Sequence, residues 1–125
     1  MTLEPLEAAV LDKLFDGHHP ILVGLRAQLA GSVVTAREYS GVGFFTTFAV
    51  NATARPVSVP SLRFGDVEAT IGGLQHGAGF VVFVDDGMLT MLEGYCYDKS
   101  WPAEIRELSL RYSDPSRRDL FSSTR

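Results

Sequence analysis

The stretch LEGYCYDKSWP, residues 92–102, holds the densest group of side chains that could do chemistry in this sequence. A carboxylate can act as a general acid or base, a thiol can act as a nucleophile, and aromatic rings with polar tips can hold a binding partner. The residues concerned are Glu93, Cys96, and the set Tyr95, Tyr97, Asp98 and Trp101. The same residues would also suit an ordinary strand that runs into a turn.

Glu93 has the most unusual surroundings of the carboxylates, because it falls in a strand pattern that is otherwise apolar. Burying a carboxylate is costly unless the group is paired or protonated, and the raised pKa of a buried carboxyl would suit a general base. The alternative interpretation is a salt bridge to Arg37 or Arg106, which would make Glu93 a structural residue.

Cys96 and His76 could form a nucleophile and its base, because a thiol needs an imidazole within hydrogen-bonding reach to ionise at neutral pH. The alternation of the strand, however, places Cys96 on its hydrophobic side. A free cysteine in such a position behaves as a small buried hydrophobe. We therefore expect Cys96 to be a packing group.

Metal and phosphate sites are not predicted. Asp16, His18 and His19 crowd one short turn without the spacing of metal ligands, and Asp85-Asp86-Gly87 lacks the alternating acids of a calcium loop. The glycines in GVG and GGLQHGAG do not lie between a strand and a helix start, where a phosphate cradle needs them. We expect no metal and no cofactor.

The segment GFVVFVDDGMLTMLEGYCY positions the candidate residues. Asp86-Gly87 between two apolar runs is typical of a tight type I′ hairpin turn. A two-residue loop would place Val84 opposite Leu89, Val82 opposite Met91 and Phe80 opposite Glu93. Glu93, Tyr95 and Tyr97 would then share one face of the strand, and Cys96 would lie on the other.

The rest of the chain predicts an α+β fold, an N-terminal helical hairpin packed on one face of a mainly antiparallel sheet of five or six strands. Thr2 is the expected cap of the first helix and Pro20 the first residue of the second. The segment NATARPVSVPSLRFG is expected to be a loop or an edge, since it carries two prolines. We expect a single domain over residues 1–112 and a frayed tail over 113–125.

The composition of the chain limits the kinds of partner that we expect it to bind. The chain has 125 residues, 46% of them hydrophobic, one cysteine and a net charge of −4. An acidic protein repels phosphate backbones, so nucleic-acid binding is not expected, and a basic protein partner is favoured. No apolar run approaches the ~20 residues of a membrane-spanning helix. The acidic, amphipathic N-terminal segment differs from a secretory signal, so the expected location is cytoplasmic.

Three segments carry a resemblance: GVGFFTTF at 41–48, HGAGFVVFVDDG at 76–87 and LEGYCYDKSWP at 92–102. They resemble segments shared by a group of short uncharacterised bacterial proteins. The resemblance covers about half of the chain, and it implies a compact stand-alone protein without implying an activity. In its small size and acidity the protein is also similar to immunity proteins, which neutralise a cognate toxin.

Two functional interpretations follow. The first is a non-enzymatic protein-binding module, immunity-like in type, that presents Glu93, Tyr95, Tyr97, Asp98 and Trp101 to a protein partner, with His76 nearby. The alternative is a small enzyme or ligand-binding protein with a pocket between the helical hairpin and the sheet, using Glu93 as the acid or base. A pocket lined by Glu93 and His76 would favour the alternative, and an exposed aromatic patch would favour the binding module.

Overall fold

Two helices precede seven strands in the computed structural model, which describes residues 1–121. The helices are α1 (Pro5–Leu14) and α2 (Pro20–Ala30). The strands are β1 (Val33–Tyr39), β2 (Gly43–Ala49), β3 (Ser61–Phe64), β4 (Val67–Ile71), β5 (Ala78–Asp85), β6 (Met88–Cys96) and β7 (Leu108–Tyr112). The α+β class and the N-terminal helical hairpin are confirmed.

Helix α1 begins later than the sequence predicted. Its N-cap is Glu4 instead of Thr2, and Glu4 has an extended backbone, with φ −79° and ψ 157°. The cause is Pro5, because the ring of a proline pushes the preceding residue out of the helical region. Helix α2 begins at Pro20 as predicted, and the side chain of His19 accepts a hydrogen bond from the N–H of Ile21.

The sheet is antiparallel in each of its recorded pairings, and its strands lie in the order β1-β2-β6-β5-β4-β7. The described residues form seven strands, not the five or six predicted. The extra strand is β3, at the end of the proline-containing segment expected to be a loop or an edge. It pairs with residues 82–85 of β5, whereas β4 pairs with residues 78–79 of the same strand. One long strand thus accommodates two short neighbours along one side.

The hairpin of β5 and β6 turns at Asp86-Gly87, as predicted, and both turn residues have positive φ angles, 53° and 75°. Val84 lies opposite Leu89, but the register then shifts, so that Val82 pairs with Leu92 and Phe80 with Gly94. The predicted pairs Val82–Met91 and Phe80–Glu93 are therefore wrong.

A side chain of helix α2 binds the backbone of the hairpin next to the register shift. Gln28 is buried; its side-chain carbonyl accepts from the N–H of Leu89 at 2.8 Å, and its amide group donates to the carbonyl of Gly87 at 2.9 Å. The hydroxyl of Thr90 lies 3.0 Å from the carbonyl oxygen of Phe83. These side-chain bonds occupy backbone groups at the point where the register shifts, which is how a bulge is held in place.

The helices cover one face of the sheet, and the core lies between them. It contains Val10, Leu11, Leu14 and Phe15 from the α1 side, Leu22 and Leu25 from α2, and Phe44, Phe80, Val82 and Leu92 from the sheet. Neither helix in residues 1–121 has the length and apolar character needed to cross a membrane.

The segment after β7 folds back on the domain as far as Phe121. Arg117 donates to the carbonyl oxygens of Leu14 at 2.8 Å and Asp16 at 2.6 Å, and its guanidinium pairs with Asp66 at 2.6 Å. The expectation of a frayed tail over 113–125 does not fit this segment, because the arginine supplies donors to the C-terminal end of α1, where carbonyls lack helical partners. Residues 122–125 lie outside the described part.

Candidate functional site

The candidate residues of the 92–102 stretch are divided between the two faces of the sheet. A side chain on Gly94 would collide with the ring of Phe44, which lies in the core under the helices. Tyr95, the next residue along β6, points to the opposite face. Its hydroxyl lies so close to Gly79 that a side chain on Gly79 would collide with it. Trp101 packs against Phe44, with ring centroids 5.4 Å apart. Tyr95 and Trp101 therefore do not belong to one continuous patch.

Glu93 lies half-buried on the outer face, with Phe45 and Val81 as its cross-strand neighbours. Neither arginine considered as its partner reaches it, because Arg37 pairs with Glu7 and Glu4 while Arg106 pairs with Glu104. The predicted face of Glu93, opposite to that of Cys96, is as the sequence indicated.

Tyr95 and Tyr97 form an aromatic pair on the outer face. Their rings meet edge to face with centroids 5.7 Å apart, and Tyr97 is 68% exposed. Burial, the hydrogen bond with Tyr97 and the nearby negative charge of Glu93 raise the pKa of Tyr95 to about 12. The phenol of Tyr95 therefore stays protonated at neutral pH and can serve as a hydrogen-bond donor.

Asp98 ties the end of β6 to the loop between β4 and β5. Its carboxylate accepts from the N–H groups of Gln75 at 2.8 Å and His76 at 3.0 Å. The backbone hydrogen bond from Gln75 is the main cause that lowers the pKa of Asp98, and the bond from His76 acts in the same direction. Asp98 thus contacts His76 through the backbone of the histidine.

Cys96 is buried, with its sulfur 3.9 Å from the carbonyl oxygen of Asp98. Within residues 1–121 no hydrogen bond joins the thiol to the His76 imidazole. This environment fits the packing role predicted for Cys96.

Trp101 lies at the edge of a groove between the N-terminal end of α1, the β1–β2 turn and the segment after β6. We call this the α1 groove; its volume is about 770 Å³. Its lining is mainly apolar and includes Leu6, Ala9, Tyr39, Phe44, Trp101, Ile105 and Leu108, with Glu4 and Glu7 as its carboxylates. Neither Glu93 nor His76 lines it within the described part of the chain. Of the two helices only α1 contributes to this lining, so the α1 groove differs from the pocket with Glu93 and His76 that the sequence led us to expect between the helical hairpin and the sheet.

The buried carboxylate of the groove is Glu7, which the sequence interpretation missed. Glu7 is 2% exposed, and Arg37 donates to both of its oxygens, from Nε at 2.8 Å and from Nη2 at 2.6 Å. The hydroxyl of Thr46 and the N–H of Glu4, the latter at 2.7 Å, also donate to it. These four hydrogen bonds satisfy the carboxylate and join α1 to β1 and β2.

The electrostatics of Glu7 follow from these contacts. Burial alone would raise the pKa of Glu7, but the hydrogen bonds from Arg37, Thr46 and Glu4, together with the charge of the guanidinium, bring it below its ordinary value. Glu7 is therefore ionised at neutral pH, and its acceptor sites are taken. A carboxylate in this state is poorly suited to exchange protons with a substrate.

Glu4 lies at the rim of the groove and is 49% exposed. One of its oxygens is 3.1 Å from Arg37 Nε and accepts from the hydroxyl of Tyr39 at 2.9 Å. Burial and the bond to Glu4 raise the pKa of Tyr39. The rim thus presents a carboxylate beside an aromatic ring.

A signal for Glu7 was present in the sequence. It lies four residues after Leu3 and three before Val10, within the apolar stripe of α1. A carboxylate at such a position must be buried with a partner. No family model, curated protein or solved structure matches this chain.

Proposed function

We propose that this protein is a non-enzymatic protein-binding module that holds side chains of its partner in the α1 groove. The observation that carries the proposal is an apolar groove of about 770 Å³ with three aromatic residues, Tyr39, Phe44 and Trp101, in its lining. The few residues that carry most of the binding energy in protein interfaces are enriched in tryptophan, tyrosine and arginine, and they cluster in well-packed pockets.

The polar side chains of the groove already have hydrogen-bond partners within the protein, which supports binding over catalysis. Among the described residues, the side chains with oxygen atoms that line the groove are Glu4, Glu7 and Tyr39. Glu7 is saturated by four donors, and Tyr39 donates its hydroxyl proton to Glu4. These groups fix the shape of the groove and its charge, which is what recognition requires.

The charge of the whole chain supports a basic partner, since the net charge is −4. A cytoplasmic binding module that neutralises a basic toxin, as immunity proteins do, is one form of this function. Size and acidity are the features that support this immunity-like form.

A second candidate is a small-ligand-binding protein, favoured by the volume of the groove. Pockets that hold small molecules usually measure about 300–1,000 Å³, and this groove falls in that range. In this candidate Glu4 and Glu7 are the carboxylates of the pocket. Glu93, to which the sequence interpretation gave that role, lies on the outer face of the sheet.

The test is affinity capture with three matched baits: the wild-type protein, Ala9→Phe and Ala8→Phe. Ala9 lines the groove, whereas its neighbour Ala8 is exposed on the same helix. A phenylalanine at residue 9 would fill the groove, and one at residue 8 would point to solvent. Each bait is first compared with wild type by circular dichroism and melting temperature.

We expect a stoichiometric protein partner that wild type and Ala8→Phe capture from native lysate and that Ala9→Phe does not. Equal capture by all three folded baits would contradict the proposal. If native mass spectrometry instead finds a small molecule that is bound to wild type and lost from Ala9→Phe, the ligand-binding candidate replaces it.

A further inference from the structure

We propose that the α1 groove is built for a cationic side chain, a lysine or an arginine of the partner. This inference rests on the proposed function and specifies the chemistry of the group that the groove holds. Three features support it: a surplus negative charge at the rim, aromatic rings in the lining, and apolar walls that fit the stem of a long cationic side chain.

The surplus charge arises because one guanidinium serves two carboxylates. Arg37 pairs with both Glu7 and Glu4, so two carboxylates share one positive charge and one negative charge is left uncompensated. The buried member, Glu7, holds the closer contact with Arg37 Nη2, at 2.6 Å. The uncompensated charge therefore lies at Glu4, whose side chain is 49% exposed. Among the described residues no lysine, arginine or histidine lines the groove to balance it.

The aromatic residues strengthen the preference for a cation. The faces of tyrosine, phenylalanine and tryptophan rings carry partial negative charge and attract ammonium and guanidinium groups. Tyr39 and Trp101 line the groove together with Glu4, and the hydrogen bond from Tyr39 holds the Glu4 carboxylate beside the ring. A cation at the rim would meet both a carboxylate and aromatic surface.

The apolar walls suit the rest of such a side chain. Lysine and arginine bury their methylene stems along apolar surface while the charged head stays near solvent or a counter-charge. Leu6, Ala9 and Ile105 offer that surface in the lining of the groove. A purely apolar side chain would instead cover part of the Glu4 carboxylate without replacing its water, and an anionic one would be repelled by it.

The experiment uses three peptides of the form acetyl-Gly-X-Gly-amide, in which X is lysine, norleucine or glutamate. Norleucine keeps the aliphatic stem of lysine and lacks its charge. The chain has a single tryptophan, Trp101, which lines the groove, so the indole N–H signal in a two-dimensional nitrogen–proton spectrum reports binding there. Each peptide is titrated into wild type, Glu4→Gln and Glu104→Gln, where Glu104 is an exposed carboxylate paired with Arg106.

We expect the lysine peptide to bind wild type and Glu104→Gln at least about fivefold more tightly than the norleucine peptide, and the glutamate peptide to bind most weakly. In Glu4→Gln the advantage of lysine over norleucine should fall by at least half. Equal binding of the lysine and norleucine peptides to wild type would overturn the inference, as would a lysine advantage that Glu4→Gln leaves intact or the absence of binding by the lysine peptide.

The two proposals can fail separately. If norleucine binds as well as lysine while Ala9→Phe still abolishes partner capture, the groove is a protein-binding site for an apolar side chain and only the cation inference is wrong. If Ala9→Phe captures the partner as wild type does, the proposed function itself is wrong, whatever the peptides do.

Discussion

Arg37 donates hydrogen bonds to both carboxylate oxygens of Glu7, at 2.8 and 2.6 Å, across a separation of 30 residues. This bidentate pair fastens the first helix to the edge strand β1 and holds Glu7 in place in the lining of the α1 groove. Such geometry is the strongest form of a charge-assisted hydrogen bond. The shape and the charge of the candidate site thus depend on one contact between two distant parts of the chain.

Replacing Glu7 by glutamine should lower the free energy of unfolding by about 3 kcal/mol, because it leaves the guanidinium of Arg37 in a largely buried position with one carboxylate removed. Urea denaturation measures the change. The matched control is Glu68→Gln, which breaks a half-exposed pair with Arg111 and should cost less than about 1 kcal/mol. Equal losses in the two variants would contradict the structural role of Glu7.

Glu7 should also make the protein acid-sensitive. Its pKa is lower in the folded protein than the ordinary value of 4.5, so the folded state binds fewer protons at this site than the unfolded chain does. Its contribution to stability is complete above that ordinary value and is lost as the pH falls through the folded pKa. Melting temperatures from about pH 6 down to pH 3 should fall less steeply in Glu7→Gln than in wild type. Parallel curves would show that another group governs acid unfolding.

Arg117→Ala should release the segment that follows β7. The arginine side chain pairs with Asp66, donates to the carbonyls of Leu14 and Asp16, and lies over the ring of Tyr112 at 4.2 Å. Losing these contacts should lower the free energy of unfolding by about 2–4 kcal/mol and should speed proteolysis of residues 113–121. Arg118→Ala changes an exposed neighbour and should leave both measurements near wild type.

Trp101→Ala tests the proposed site directly. The ring is half-buried against Phe44, so its removal should cost about 2–3 kcal/mol of stability, less than truncation of a fully buried aromatic. Partner affinity, corrected for the unfolded fraction, should weaken by more than about 1 kcal/mol. Tyr97→Ala removes an exposed ring from the other face and should change that affinity little. Unchanged affinity in Trp101→Ala would remove this residue from the binding surface.

Cys96→Ser should leave partner capture intact and cost about 1 kcal/mol of stability, because the hydroxyl replaces a buried thiol that serves packing. Thermal unfolding and the capture assay on the same preparation check both parts. Loss of capture in a folded Cys96→Ser protein would give the thiol a functional role.

The sequence by itself determined the features that depend on neighbouring residues. Asp86-Gly87 specified the hairpin turn because its residues tolerate positive φ, and Pro20 marked the start of α2 because its fixed φ suits a first helical residue. Alternation along β6 was enough to place Glu93 and Cys96 on opposite faces, since side chains on a strand point alternately to its two sides.

Tertiary structure decided the features that depend on distant partners. The hairpin register is anchored by Gln28, 61 residues before Leu89, and the short strand β3 exists because β5 offers it a free edge. Glu7 could be recognised as a buried carboxylate from its place in the apolar stripe, but its pairing with Arg37 could not, because local patterns carry no information about which charges meet. For the same reason Trp101 was grouped with Tyr95 by proximity in the sequence, although the chain reversal after β6 places it in the α1 groove.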